Sequence, residues 1–73
     1  MSRLPQVSGP GGVRALQKIG FFVRRQHGSH IILRRDTPFA QTVVPNHRQI
    51  DRATLRAILR QTDLSVDEFS KLL

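Results

Sequence analysis

Three histidines, His27, His30 and His47, are the side chains of this 73-residue sequence suited to moving protons near neutral pH. His27 and His30 flank Gly28-Ser29, and His47 follows 17 residues after His30. Arg24, Arg25, Arg34 and Arg48 lie close to them in the chain. RNA can be cut by attack of its own 2′-hydroxyl on the adjacent phosphate. That reaction needs a base, an acid and cationic stabilisation of the developing charge, and histidines among guanidinium groups can supply all three without a metal. A metal site is the weaker reading of the same histidines: the chain has no cysteine and no acidic residue before Asp36.

The residues alone leave the individual roles open. His30 begins a strand beside a Gly-Ser turn, which suits a catalytic group, a phosphate ligand or a structural side chain. His27 reads as a solvent-exposed turn residue, and His47 lies in the loop that leads to the second helix. Ser29 either hydrogen-bonds within its turn or holds His30 or a phosphate. Arg52, Arg56 and Arg60 recur every four residues on one helical face, with Arg48 one step upstream. No acid at i+4 relieves these like charges. The row reads either as a solvated basic face or as an edge that follows a phosphate backbone.

Charge supports the second reading. Twelve Lys or Arg against five Asp or Glu give a formal charge of +7, and ten of the basic residues are arginine. The planar guanidinium fork suits phosphate better than the lysine ammonium does. Residues 1–60 carry a net +9 and residues 61–73 a net −2, so the basic surface is one-sided. Such a field fits RNA, or an acidic protein that covers the same surface. All four phenylalanines read as structural, with the alternative that strand alternation turns one of Phe21 and Phe22 outward, and there is no Trp or Tyr. Backbone and shape contacts to duplex or structured RNA are therefore expected, rather than base stacking.

Size narrows the field. A chain of 73 residues makes one domain and buries only about 60% of the surface its unfolded form exposes. It has no room for a dinucleotide-binding unit, a barrel or a separate substrate domain. No run reaches the roughly 18 apolar residues of a membrane span, and no apolar leader is expected at the N-terminus. The absence of cysteine fits a reducing, cytoplasmic setting.

The elements that must position these residues follow from periodicity and caps. Val13, Leu16 and Ile19 mark a helix over about 10–19, with Pro10 in its first turn and Gly20 as its stop. Strands are expected over 21–25 and 30–35, joined by a turn at 26–29, and over 41–44, after a turn at Asp36-Thr37-Pro38. In the second strand Ile31 and Leu33 share one face, while His30, Ile32 and Arg34 share the other. Both faces carry apolar side chains, so the pattern does not say which one packs on the helices. Asp51 caps a second helix, stapled by Ile50 and Leu55. Ser65 and Glu68 form a capping box for a short third helix over about 66–72. The expected fold is a two-layer α+β arrangement, α-β-β-β-α with a short extra C-terminal helix.

Several segments together resemble the HicA family, the small mRNA-cleaving toxins of HicA–HicB toxin–antitoxin modules. They are Ser8-Gly9, Gly20-Phe21, Arg25-Gln26-His27-Gly28-Ser29-His30, Val44-Pro45 with His47, Thr54–Gln61, Leu64-Ser65 and Glu68-Phe69, spanning residues 6–72 of a single 1–73 domain. The resemblance implies a fold similar to a double-stranded-RNA-binding domain and a translation-blocking endoribonuclease; from the residues themselves, no cofactor is expected. It places the essential histidine of the family's Gly-Ser-His motif on His30, as general acid or base. It also implies a HicB-like antitoxin that masks the active site. Arg24, Arg25, Ser29, Arg34, His47, Arg48, Arg52, Arg56 and Arg60 are the expected RNA contacts. The alternative is a non-catalytic double-stranded-RNA-binding module built on the same arginines. The chain departs from the family pattern at Pro10-Gly11-Gly12, at Ile31 after the motif histidine, and at Asn46-His47-Arg48.

Overall fold

A computed structural model describes residues 3–73. The chain runs α1 (Gly9–Gln17), β1 (Phe22–His27), β2 (His30–Asp36), β3 (Phe39–Pro45), α2 (Arg52–Thr62) and α3 (Val66–Ser70). The strands form one antiparallel sheet in the order β1-β2-β3, and α1 and α2 pack on one face of it. This is the expected α-β-β-β-α topology with a short C-terminal helix.

Local chemistry sets most of the boundaries. Ser8 caps α1 through its hydroxyl, which accepts from the Gly11 N–H at 3.0 Å. The helix ends at Gln17 rather than at residue 19. Lys18, Ile19 and Gly20 instead form a tight last turn, in which the Phe21 N–H reaches back to the Leu16 carbonyl. Asp51 caps α2, and Asp63 ends it in the left-handed region at φ 59°. The reciprocal Ser65–Glu68 capping box is formed at α3. That helix stops at Ser70 rather than at residue 72, and Phe69 anchors it at 1% exposure.

The core settles the question of faces. Ile31, Leu33, Thr42 and Val44 of the sheet are buried together with Ala15, Leu16, Phe21, Leu55, Ile58, Leu59 and Phe69. Ile31 and Leu33 therefore face the helices, and His30, Ile32 and Arg34 lie on the face that no helix covers. Thr42 and Thr62 are buried polar residues with partners: Thr42 donates to Gln61 Oε1 at 2.6 Å, and Thr62 donates to the Ile58 carbonyl at 2.8 Å.

Three strand limits differ from expectation. Phe21 is buried as the entry to β1 rather than lying inside it. The turn at 26–29 contracts to Gly28-Ser29, so His27 belongs to the strand. Gly28 supplies a positive φ of 56° at the first turn position, and the Gln26 amide donates to the Gly28 carbonyl at 2.9 Å. β3 starts at Phe39 rather than at residue 41, because only Thr37 and Pro38 are needed to reverse the chain.

The β1–β2 register contains one irregularity, between Val23 and Arg25. Phe22 pairs with Arg34 and His27 with His30, so β1 uses one more residue than β2 over the same span. Arg24 is the extra residue of a β-bulge. Because side chains alternate with period two, one inserted residue exchanges the faces of everything after it. Were Arg24 an ordinary ladder residue, Arg25 and His27 would point toward the helices. Because it is bulged out, they join His30, Ile32 and Arg34 on the open face.

Candidate functional site at the hairpin end of the open sheet face

His30 is the first residue of β2 and is exposed. Its neighbours on the sheet are His27 of β1 on one side and Pro45 of β3 on the other. Just beyond it the Ser29 carbonyl accepts from the Asn46 N–H at 2.6 Å, which extends the β2–β3 ladder into the loop that carries His47 and Arg48. The start of α1 closes the same end: the Gly9 N–H donates to the His47 carbonyl at 2.8 Å. Only glycine fits at position 9, since a Cβ there would lie 2.2 Å from the Pro45 carbonyl oxygen. Hairpin tip, 45–48 loop and α1 start thus converge on one end of the sheet. All three histidines are there, and all three are exposed.

Arginines flank this end along the open face. Arg25 pairs across the ladder with Ile32 and precedes His27 by two positions, on the same face. Arg24, the bulge residue, is exposed at the edge. Arg34 lies four residues beyond His30 on β2. Its guanidinium stands 5.6 Å from the centre of the Phe22 ring, and its buried Nε sits 2.9 Å from Asp36 Oδ1. That contact is ionic, since its angle does not align as a hydrogen bond, and Asp36 offsets part of the Arg34 charge. Arg35, on the opposite side of the strand, is committed to structure. It donates to the Ile19 and Pro38 carbonyls and stacks over Phe21 at 4.6 Å.

The remaining predicted contacts lie elsewhere. Arg52, Arg56 and Arg60 are exposed on α2, whose Leu55, Ile58 and Leu59 pack toward the sheet. The row therefore belongs to the helical layer. Arg56 and Arg60 share a shallow groove with Asp63 and Glu68. His30, Arg25 and Arg34 share the open face, with Ser29 in the turn beside it and Arg24 at the sheet edge; His47 and Arg48 lie in the loop after β3, and Arg52, Arg56 and Arg60 lie on α2.

The expectation that every phenylalanine is structural does not hold. Phe21 and Phe69 are buried, but Phe22 is 40% and Phe39 68% exposed. Alternation explains Phe22, which faces away from its buried neighbour Phe21. Phe39 pairs with Asp36 on the open face, where no helix covers it. The open face thus carries aromatic surface beside its cations. Sequence reasoning places His27 in the turn, whereas the structure makes it the cross-strand partner of His30. A two-residue Gly-Ser hairpin makes its flanking residues a cross-strand pair, and that signal places His27 opposite His30.

Titration of the carboxylates is governed by the caps. The Thr54 hydroxyl and backbone N–H hold the Asp51 carboxyl below its ordinary value, and the Ser65 backbone N–H and hydroxyl do the same for Glu68. Among the described residues no cluster of three or more His, Cys, Asp or Glu side chains is arranged to hold a metal ion. Among the described residues, too, no helix is long and apolar enough to cross a membrane.

A search of curated proteins returns no match. The family model described as the HicA toxin of bacterial toxin–antitoxin systems matches residues 13–64, a stretch that contains the sheet, the three histidines and all of α2. With the expected fold in place and the Gly-Ser-His segment at an exposed hairpin end, the chain belongs to the HicA toxin family.

Proposed function

We propose that the protein is an endoribonuclease that cleaves mRNA and so blocks translation, with His30 as general acid or base and no metal in the reaction. The observation that carries this reading is the position of His30: exposed on the uncovered sheet face, beside a tight turn, with Arg25 and Arg34 on the same face. A phosphate gripped by guanidinium groups there would present its neighbouring 2′-hydroxyl to an imidazole. As the 2′-oxygen attacks phosphorus, its proton leaves to a base, and the bond to the 5′-oxygen breaks as that oxygen takes a proton from an acid. The arginines stabilise the charge that builds on the non-bridging oxygens. Because the substrate supplies its own nucleophile, a shallow basic surface suffices.

The same face is the natural seat of the antitoxin. A HicB-like partner with acidic groups opposite Arg24, Arg25 and Arg34 would cover His30 and exclude RNA. Cytoplasmic mRNA is the substrate in this reading. The second reading, a duplex-RNA-binding module without catalysis, is favoured by one observation: the α2 arginine row lies apart from His30 and needs no histidine.

One assay series tests both. The purified protein and His30→Ala are incubated with mRNA in EDTA, and RNA binding is measured in parallel. Cleavage by the parent, lowered about 10²–10⁴-fold in His30→Ala with binding retained, is the expected result. Binding without cleavage by either protein would leave the binding module. Cleavage abolished by EDTA alone would overturn the metal-free mechanism.

A further inference from the structure

We infer that His27 is the second proton-transfer group of the site, dividing with His30 the two proton movements of RNA cleavage. The inference rests on the nuclease reading above and names what a single histidine leaves unassigned. Its basis is the register of the hairpin. His27 and His30 are direct cross-strand partners that close the Gly28-Ser29 turn, and both are exposed on the open face. Directly opposed residues of an antiparallel pair have Cβ atoms about 4.5–5.5 Å apart. From that separation two imidazoles can diverge to either side of one phosphate, so that one reaches the attacking 2′-oxygen and the other the departing 5′-oxygen.

The bulge at Arg24 makes this pairing possible. By plain alternation from Phe22, His27 would face the helices and could not meet His30. The extra residue turns His27 outward together with Arg25, so that the open face gains a cation and an imidazole at once. The charged and titratable groups on this face of the hairpin are Arg25 on β1 and His30, Arg34 and Asp36 on β2. His47 and Arg48 lie in the loop after β3 that adjoins this end, and the contact α1 makes there is the backbone bond from Gly9 to the His47 carbonyl. His47 is held by backbone contacts to Pro45 and Gly9, whereas His27 shares a ladder rung with His30. That rung is why His27, rather than His47, is assigned.

The chemistry balances without any further reagent. One imidazole accepts the 2′-hydroxyl proton as the new P–O bond forms. The other, starting protonated, gives its proton to the 5′-oxygen as the old P–O bond breaks. The products are a 2′,3′-cyclic phosphate and a free 5′-hydroxyl.

The test compares the parent with His27→Gln and His27→Arg. The glutamine keeps polar shape without proton transfer, and the arginine keeps a cation for phosphate. Both variants alter an exposed side chain, and circular dichroism with RNA binding checks that each is folded. The expected result is a fall in kcat of about 10²-fold or more in both, with KM little changed. The bell-shaped pH dependence of kcat/KM in the parent should lose one limb in His27→Gln. Cleavage by His27→Arg at the parental rate would reduce the role to phosphate binding and overturn the inference. So would a His27→Gln profile that keeps both limbs within threefold of the parental rate. A parent that binds RNA without cutting it would overturn the nuclease reading and this inference with it, whereas a parent that cuts and a His27→Gln that cuts equally well would overturn only the inference.

Discussion

The two layers of this small molecule put arginine to different uses. On the sheet's open face, Arg25 and Arg34 stand among exposed side chains, with His27, His30 and the Phe22 ring beside them. On α2, Arg52, Arg56 and Arg60 ride a helix whose other side supplies much of the core, and Arg56 and Arg60 share their groove with Asp63 and Glu68. The sheet face brings cations to titratable groups, while the helix row brings cations to a scaffold. The proposed chemistry and the stability thus fall to different sides of the same strands. β2 shows this in a single element, where Ile31 and Leu33 hold the fold and His30, Ile32 and Arg34 face outward.

The sharpest way to break the comparison is within that strand. Leu33→Ala removes a fully buried side chain and is expected to cost about 2–5 kcal/mol in a denaturant titration. Ile32→Ala, one residue away on the open face, should cost less than about 1.5 kcal/mol. Equal costs would mean that the open face is packed in solution. A second comparison sets Arg25→Ala/Arg34→Ala against Arg52→Ala/Arg56→Ala/Arg60→Ala. Each lost phosphate contact should lower the slope of log affinity against log salt by about 1. The sheet-face pair should lower kcat as well, and the helix-row triple should weaken binding while leaving kcat unchanged. A triple variant that slowed the chemistry would erase the distinction between the layers.

Much of the scaffold is legible in the residue string because its signals are local. The Asp51 cap, the Ile50–Leu55 staple and the Ser65–Glu68 box each need only a few neighbouring residues, and the helices form where these signals place them. The position of His30 at a strand start is equally local. What the string does not disclose depends on counting across strands. Arg24 and Arg25 are chemically identical, so nothing in their types marks one as a bulge. Without the bulge, the faces of Arg25 and His27 cannot be assigned. The string leaves open which side of β2 meets the helices for a related reason, since both sides carry isoleucine or leucine and only the three-dimensional packing chooses between them.

Smaller effects test the helical layer alone. Ser65→Ala should lower stability by about 1 kcal/mol through loss of the α3 cap, with the cleavage rate per folded molecule unchanged. The caps also make stability acid-sensitive. The carboxyls of Asp51 and Glu68 titrate below their ordinary values in the folded chain, so the unfolded chain binds protons first as pH falls. Their contribution is complete above the ordinary carboxylate range and is lost as pH drops through the lowered values. The thermal midpoint should decline there, and less so in Asp51→Asn or Glu68→Gln. The slope should be the same whether or not His30 is present, since the caps and the histidines belong to different layers.

The contact between Gly9 and the Pro45 carbonyl has a consequence for genetics. In a selection for cells that survive expression of this toxin, His30 is the obvious place for escape substitutions. Gly9 should be another, although it lies 21 residues away in the chain and carries no functional group. Any side chain there collides with the backbone that carries His47 and borders His30. A single methyl group at the start of the first helix would thus disarm the protein from behind. The surviving alleles would mark out a supporting wall that chemistry alone would not reveal.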